Sequence, residues 1–238
     1  MPKSNRSAPW MVTGGRGVGS SLAFPAGRVH AWIPNQGTLD TDSLVDTINV
    51  DNLPLVNTDP TLFTLNGIDH LQTGGSNYYA STSALSRITD EYTIMFIGTT
   101  DVTDTTARTL RHSIGLIQLG LVLNRFAGFV QFNINNGAVT SATYQRSIMP
   151  DNATPIDCVA VIANSGYTKY INGISSGVGS SGPEDLTGTI ANNAYFGRDN
   201  PGATTGRGRF GPLYVWNRVL TPTEVETARR SAGMPAAA

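Results

Sequence analysis

Paired carboxylates are the first residues in this chain that could do chemistry, because glycoside hydrolysis needs two of them about 5 to 9.5 Å apart. The chain carries only four glutamates, Glu91, Glu184, Glu224 and Glu226. Two fall on a predicted C-terminal helix, one follows a proline in a polar loop, and Glu91 opens a predicted strand. Because no carboxylate pair alternates along any predicted strand, the sequence predicts a protein that is not an enzyme.

Metal, nucleotide and acyl-transfer chemistry find little support in the sequence. His30, His70 and His112 lack the close spacing of metal ligands and are predicted to be ordinary strand residues. Residues 14–21 approach a phosphate-binding loop, but Ser20 stands where that loop requires lysine. The G-x-G-x-x-G match at residues 206–211 precedes a predicted strand, whereas a dinucleotide site needs a helix there. No G-x-S-x-G nucleophile elbow is present.

Sugar binding is better supported, since it needs exposed aromatic rings beside polar hydrogen-bonding groups. A Ser/Gly-rich loop carries two adjacent tyrosines, which point to opposite faces if they lie on a strand. A second polar loop follows a short predicted strand near residue 196. The candidate glycan-binding residues of these two loops are Asn77, Tyr78, Tyr79, Arg198, Asp199 and Asn200.

Composition limits the kinds of partner. The chain has 238 residues, a net charge of −1 and only 14% charged residues, so no strong field attracts nucleic acid or an acidic membrane. Cys158 is the single cysteine, which excludes a disulfide within the chain, and it lies in an apolar strand where a buried, inert thiol is expected. No apolar segment follows the basic N-terminus, so we expect no secretory signal and synthesis in the cytoplasm.

The C-terminal third shows the clearest order of elements. Residues 157–163 and 167–171 are predicted strands, and the Asn172-Gly173 pair that follows is a strong hairpin signal because both turn positions need φ > 0. An aromatic strand is predicted over residues 210–217. Thr221 and Glu224 have the spacing of a capping box, with proline at the first helical position, so a short C-terminal helix follows.

Strand patterns continue towards the N-terminus. Residues 29–33 and 91–98 are predicted strands, and residues 62–71 form a predicted hairpin about Asn66-Gly67. Residues 111–124 and 126–134 alternate between apolar and polar side chains and are predicted to be the two strands of one long hairpin.

The order and spacing of these motifs, over roughly residues 29–231, resemble the laminin-G-like, concanavalin A-like lectin fold. The motifs that carry the resemblance are the 62–71 hairpin, the 91–98 strand, the Tyr-Ile-Asn-Gly turn at 170–173, the strand end at 195–198 and the aromatic strand with its terminal helix. This resemblance implies an all-β chain: a two-sheet antiparallel jelly-roll sandwich, concanavalin A-like, with one short C-terminal helix. A fold of this kind hosts many functions.

The resemblance also implies details of the core and of a metal site. Most of the following aromatic residues would be core: Trp32, Phe63, Phe96, Phe129, Phe132, Tyr214 and Trp216. Val225 of the terminal helix would face inward and Glu226, Arg229 and Arg230 outward. Related lectin domains often hold one Ca²⁺ at the sandwich rim, and Asp69 and Asp199 could contribute oxygens here. The simpler alternative is that these aspartates form Asx turns and no cofactor is bound.

Residues 1–28 form a Gly-rich basic segment distinct from the sandwich domain predicted for residues 29–238. The first acidic residue of the chain is Asp40. We interpret the segment as an arm that docks on a partner, although a flexible leader would have the same composition. The arm residues expected to contact a partner are Lys3, Arg6, Trp10, Arg16 and Arg28.

These observations favour a non-enzymatic structural protein on the surface of a bacteriophage virion, as a capsid decoration or a head or tail appendage. Its partners would be other virion proteins of the capsid or tail lattice, with homo-oligomers in the assembly, and neither nucleic acid nor membrane. The alternative is a carbohydrate-binding adhesin module that recognises host surface glycans. A divergent glycoside hydrolase is a third possibility that lacks its carboxylate cluster.

Overall fold

The computed structural model describes residues 22–34, 43–49, 52–56, 61–74, 78–80, 91–100, 108–114, 117–123, 129–134, 140–145, 154–163, 166–179, 194–196 and 207–237. These residues form sixteen β-strands and one α-helix. The first eight strands are β1 (Arg28–Trp32), β2 (Ser43–Leu44), β3 (Leu53–Val56), β4 (Thr61–Leu65), β5 (Ile68–Gly74), β6 (Tyr78–Ala80), β7 (Tyr92–Thr100) and β8 (Arg108–Ile114). The others are β9 (Ile117–Leu123), β10 (Phe129–Ile134), β11 (Thr140–Gln145), β12 (Ile156–Ala163), β13 (Gly166–Ile171), β14 (Ile174–Gly179), β15 (Ala194–Phe196), β16 (Arg207–Trp216) and the helix α1 (Pro222–Ser231).

The larger sheet has eight strands in the order β14-β13-β12-β7-β16-β5-β4, with β1 also paired to β16. Strand β16 uses one edge for β7 along its length. Its other edge is shared, because residues 207–210 pair with β5 and residues 213–216 pair with β1. The change of partner falls at Gly211-Pro212, where the register to β7 also shifts. Proline suits this position because it has no N–H to offer a neighbouring strand.

A second sheet of six strands runs in the order β2-β3-β6-β15-β8-β9, and β10 and β11 form a separate antiparallel pair. Leu44 and Leu53 of the second sheet are fully buried. The antiparallel two-sheet sandwich with one short terminal helix, predicted from the sequence, is confirmed.

Local turn and cap signals are also confirmed. Asn66 and Asn172 have φ of 52° and 49°, and the glycines that follow them have φ of 78° and 79°. Thr221 caps α1: its hydroxyl accepts from the backbone N–H of Glu224, whose side chain accepts from the backbone N–H of Thr221. The predicted residues thus end the strands and start the helix where their conformational preferences require it.

The central strands of the larger sheet, β12, β7 and β16, are buried on both faces. One face turns towards the second sheet, and the other carries a cluster in which Met95, Tyr214 and Trp216 pack with Val225 and Ala228 of α1. Of the aromatic residues predicted as core, Trp32, Phe96, Tyr214 and Trp216 are buried and Phe63 is half-buried. The side chains of Phe129 and Phe132 lie outside the described part of the protein.

The single strand predicted over residues 111–124 is wrong. Residues 108–114 and 117–123 are two strands paired with each other, with Arg108 opposite Leu123, and residues 129–134 pair with β11 while also contacting β9. The continuous alternation along residues 111–124 concealed the end of β8 at Ile114 and the start of β9 at Ile117. Glycine in a two-residue connection was the available hairpin signal.

The outward position predicted for Arg229 is also wrong. Its side chain is 1% exposed, and its Nε donates to Oδ1 of Asp157 at 2.7 Å. Asp157, on β12, is itself buried beneath the helix. Helical periodicity placed Arg229 among polar neighbours, but a buried carboxylate on the sheet draws the guanidinium inward because an unpaired buried charge is costly.

Candidate functional site

The two predicted glycan-binding segments flank paired strands. Tyr78 and Tyr79 lie on β6, and Tyr79 is opposite Phe196 of β15. Asn77, Arg198, Asp199 and Asn200 lie outside the described residues, as do Lys3, Arg6, Trp10 and Arg16 of the predicted arm. Because β6 and β15 are antiparallel, the start of β6 and the end of β15 lie at the same end of this strand pair.

Arg28, which was predicted for the arm, and Asp69, which was predicted for a metal site, both line one pocket of about 310 Å³. We call it the Arg28 pocket. It lies beside Gly211-Pro212, where β16 changes partner, so the end of β1 and the start of β5 converge without pairing to each other. The residues that line it are Phe24, Arg28, Ile33, Pro34, Thr47, Gly67, Ile68, Asp69, Pro212, Tyr214, Ser231 and Ala232.

The aromatic side of the Arg28 pocket is built by a chain reversal before β1. Gly27, at φ 82°, allows the turn that returns Phe24 onto the sheet, where its ring lies 4.9 Å from that of Tyr214. Trp216 Nε1 donates to the carbonyl of Pro25 at 3.1 Å and Arg218 Nε donates to that of Ala26 at 2.9 Å. Residues 24–27, within the predicted arm, are therefore held against the large sheet.

The Arg28 guanidinium lies over two aromatic rings, with its Cζ 4.0 Å from the Phe24 ring centre and 5.6 Å from that of Tyr214. Its Nη1 is buried without a hydrogen-bond partner. Burial lowers the pKa of Arg28, with the nearby Tyr214 and Asp46 acting against the shift. Burial likewise raises the pKa of Tyr214 to about 12, and Arg28 opposes that shift. The pocket thus contains a cation stacked on rings and a neutral phenol.

Asp69 supplies the carboxylate of the pocket. Its Oδ1 accepts a 2.6 Å hydrogen bond from the Thr64 hydroxyl across the β4–β5 hairpin. Within the described ranges, no three His, Cys, Asp or Glu side chains come together as metal ligands would. Calcium binding through Asp69 and Asp199 stays a prediction, because Asp199 lies outside those ranges.

His30 and Asp46 form a buried pair close to the pocket. His30 Nδ1 lies 2.7 Å from Asp46 Oδ2, and the imidazole stacks on Trp32 at 4.9 Å between ring centres. Burial acts to raise the pKa of Asp46, but hydrogen bonds from His30 and from the backbone of Ala31 and Ile48 outweigh it and lower the pKa. The pair joins β1 to the 43–49 segment, which is a structural task.

A second pocket, of about 380 Å³, lies beside the start of α1. Tyr167, Tyr170, Val219, Leu220 and Pro222 make most of its wall. Its described lining has threonine and tyrosine hydroxyls but no carboxylate or basic group, so it offers less for recognition of a polar ligand than the Arg28 pocket.

Sequence reasoning missed Phe24 and Tyr214 as site residues. Tyr214 was predicted only as core, and Phe24 lay inside the segment interpreted as an arm. The Pro25-Ala-Gly27 run was the available signal, since proline and glycine together mark a turn that can reverse the chain.

A sequence profile of the concanavalin A-like lectin/glucanases superfamily matches residues 73–226, from the end of β5 into α1. Phe24, Arg28 and Asp69 lie before that range. No curated protein matches the chain significantly. Among the described residues, no helix has the length and apolar character needed to cross a bilayer.

Solved structures share the fold at low identity. Domain 4 of AbnA, a GH43 extracellular arabinanase from Geobacillus stearothermophilus, solved in complex with arabinotriose, has a TM-score of 0.61 and 16% identity, and the alignment covers 83% of this chain and 96% of that domain. Trypanosoma rangeli sialidase has a TM-score of 0.62 and 16% identity, with coverage of 88% and 33%. The binding domain of botulinum neurotoxin serotype D/C has a TM-score of 0.58 and 13% identity, with coverage of 88% and 52%. The chain therefore spans about a third of the sialidase and half of the toxin domain.

Proposed function

This chain belongs to the concanavalin A-like lectin/glucanase superfamily, and from that premise we propose that it is a non-enzymatic carbohydrate-binding module. The observation that carries the proposal is the Arg28 pocket, which combines aromatic rings with groups that hydrogen-bond. Sugars are recognised by such surfaces, because their C–H faces stack on rings while their hydroxyls bond to polar side chains. At about 310 Å³ the pocket is at the small end of ligand sites, which span about 300–1,000 Å³. It suits one sugar unit.

The arabinanase domain supports this proposal. It aligns over almost its whole length with this chain and was solved with an oligosaccharide bound, so the fold occurs there as a separate sugar-binding unit of an enzyme. A module of the same kind would give this chain a binding role without a catalytic one.

The engagement of carboxylates supports a non-enzymatic role. Asp46 bonds to His30 and Asp157 to Arg229, while Glu224 pairs with Arg218 and Glu226 with Arg229. Each carboxylate in these pairs already stabilises the fold, whereas a glycosidase needs two held across a sugar bond. Release of reducing sugar from a polysaccharide by the purified protein would contradict this part of the proposal.

A glycan array on the full chain, followed by calorimetric titration of the best sugar, tests the proposal. Tyr214→Phe removes one pocket hydroxyl and keeps the ring, so we expect binding about fivefold weaker, from the loss of a hydrogen bond of about 1 kcal/mol. Tyr170→Phe makes the same change in the second pocket and should leave affinity unchanged. Absence of sugar binding at high protein concentration would refute the proposal. Weaker sugar binding by Tyr170→Phe, with Tyr214→Phe unaffected, would place the site in the second pocket instead.

We also propose that the module is displayed on a bacteriophage virion, with its N-terminal segment as the attachment arm. The cations of residues 1–28 and the absence of acid before Asp40 support an arm that pairs with carboxylates of the capsid or tail lattice. The anchoring of residues 24–27 on the sheet would give such an arm a fixed base.

Two truncations separate the arm from its base. Deletion of residues 1–21 should abolish incorporation into particles and leave the melting temperature unchanged. Deletion of residues 1–28 should also lower the melting temperature, because it removes Phe24, Arg28 and the carbonyls of Pro25 and Ala26. Normal incorporation of the shorter truncation would refute the arm.

A further inference from the structure

The half-buried Arg28 differs from the buried aspartates that the structure describes. Asp46 and Asp157 each have an oppositely charged or imidazole partner within 2.7 Å. Arg28 rests on the rings of Phe24 and Tyr214, and its Nη1 is buried without an acceptor. A guanidinium has five N–H donors in a planar fork that matches a carboxylate, and a buried donor without an acceptor is costly. Because Arg28 lines the pocket, an oxyanion bound there would supply an acceptor to its guanidinium.

The rest of the lining limits what kind of oxyanion fits. Asp69 lines the same pocket, so a polyanion would meet a like charge there. Thr47 and Ser231 add hydroxyls, and Tyr214 adds a ring and a phenol. A ligand that has one anionic group, several hydroxyls and an apolar face would use all of these groups.

We propose that the Arg28 pocket binds the carboxylate of an acidic sugar, such as a uronic acid unit, with Arg28 as the residue that binds the anion. This inference rests on the proposed carbohydrate binding and names the ligand class of that same pocket. The sugar carboxylate accepts from the Arg28 guanidinium in a charge-assisted hydrogen bond. The ring hydroxyls donate to Asp69, and the C–H face of the sugar packs on the aromatic side of the pocket, where Phe24 is half-buried.

The test compares sugars that differ only in the carboxylate. Titration calorimetry of the full chain with glucuronate and glucose, and with galacturonate and galactose, should show at least tenfold tighter binding of each acidic sugar. Raising the salt concentration should reduce that preference, because it rests on a charge contact.

Two arginine variants make a matched pair. Arg28→Gln should remove the acidic preference, so that each acidic sugar binds no more tightly than its neutral counterpart. Arg28→Lys should keep only part of the preference, because lysine lacks the planar fork. Arg209→Gln is the control, because Arg209 also lies over a ring, 4.4 Å from the centre of Phe63, but does not line the pocket. It should bind both sugars as the unaltered chain does.

Amide chemical shifts of the unaltered chain test the site without any variant that could fail to fold. Glucuronate should shift Arg28, Thr47, Asp69 and Tyr214. Equal affinity for acidic and neutral sugars would overturn the inference and leave carbohydrate binding intact. Shifts confined to residues 77–79 and 198–200 would overturn the pocket assignment. Binding of no sugar at all would overturn both this inference and the proposed function.

Discussion

At the scale of single residues, the buried charges Asp157 and Arg229 are stabilised by pairing with each other. Burial raises the pKa of Asp157 although Arg229 and backbone donors oppose the shift. Arg229 in turn donates to Asp157, to Glu226 and to the carbonyl of Pro235, so one guanidinium joins the sheet, the helix and the C-terminal tail. Removing one member of such a network destabilises the fold, because it leaves a buried charge without its partner.

Arg229→Ala should therefore lower the free energy of unfolding by about 3–5 kcal/mol, since it leaves the Asp157 carboxylate buried and uncompensated. Urea unfolding followed by tryptophan fluorescence measures the loss. Arg230→Ala is the control, because Arg230 is the next residue of the same helix and is exposed. It should change stability by less than about 0.5 kcal/mol. Similar losses in both variants would mean that the buried ion pair is not the cause.

At the scale of elements, turns and caps are stabilised by local signals and by the partners that tertiary packing brings. The Asn66-Gly67 and Asn172-Gly173 turns have nearly the same backbone. Their surroundings differ, because a Cβ on Gly67 would meet nothing within 4 Å, whereas one on Gly173 would collide with Nη1 of Arg229. The first turn thus has space around its glycine, whereas the second packs against the arginine network.

Gly67→Ala and Gly173→Ala separate these two roles. Alanine at Gly67 should cost about 1–2 kcal/mol, because only the positive φ is unfavourable. Alanine at Gly173 should cost about 1–3 kcal/mol more, because overpacking displaces Arg229 as well. Urea denaturation of both variants gives the comparison. Equal losses would show that the Arg229 guanidinium moves aside without cost.

The capping box of α1 makes stability depend on pH. Arg218 and the Thr221 backbone lower the pKa of Glu224 to about 2 from its usual 4.5. The folded state thus binds this proton more weakly than the unfolded state. The contribution of Glu224 is present above about pH 4.5 and is lost as the pH falls towards about 2.

Glu224→Gln should lower stability at pH 7 by no more than about 1 kcal/mol, because the Arg218 pair is partly exposed and glutamine can still cap Thr221. The difference from the unaltered chain should disappear by about pH 2, as measured by urea unfolding at several pH values. Thr221→Ser keeps both the cap hydroxyl and Glu224, so its difference in stability from the unaltered chain should not change with pH. A difference between Glu224→Gln and the unaltered chain that persists at low pH would contradict the assignment.

At the scale of the whole molecule, the two ends of the described chain pack on the same face of the large sheet. Phe24 enters the cluster under α1, and Met234 packs with Ile68 and Ile97 beyond the helix. Arg218 links these parts, since it bonds to the carbonyl of Ala26 and to Glu224. The Arg28 pocket is a product of this arrangement, because both terminal segments contribute to its wall.

Met234→Ala tests the attachment of the C-terminal tail. The side chain is buried, so its removal should cost about 2–3 kcal/mol. Ile174→Ala is the control, because Ile174 is 48% exposed and should cost far less. Thermal and urea unfolding both report the effect. A loss no larger than that of the control would mean that the tail is not part of the cooperative fold.

The resemblance of the motifs to the lectin family implied the fold class, and the amino-acid sequence by itself determined the Asn-Gly turns, the order of the strands at the C-terminus and the helix cap. These features depend on residues that are neighbours along the chain, where left-handed φ values, missing N–H groups and cap geometry restrict the choice. Only the tertiary structure decided the change of partner along β16, the burial of Arg229 and the meeting of Arg28 with Tyr214 and Asp69. Those outcomes depend on residues far apart in sequence that pairing and burial bring together, and no local pattern records which distant side chain will accept a charge.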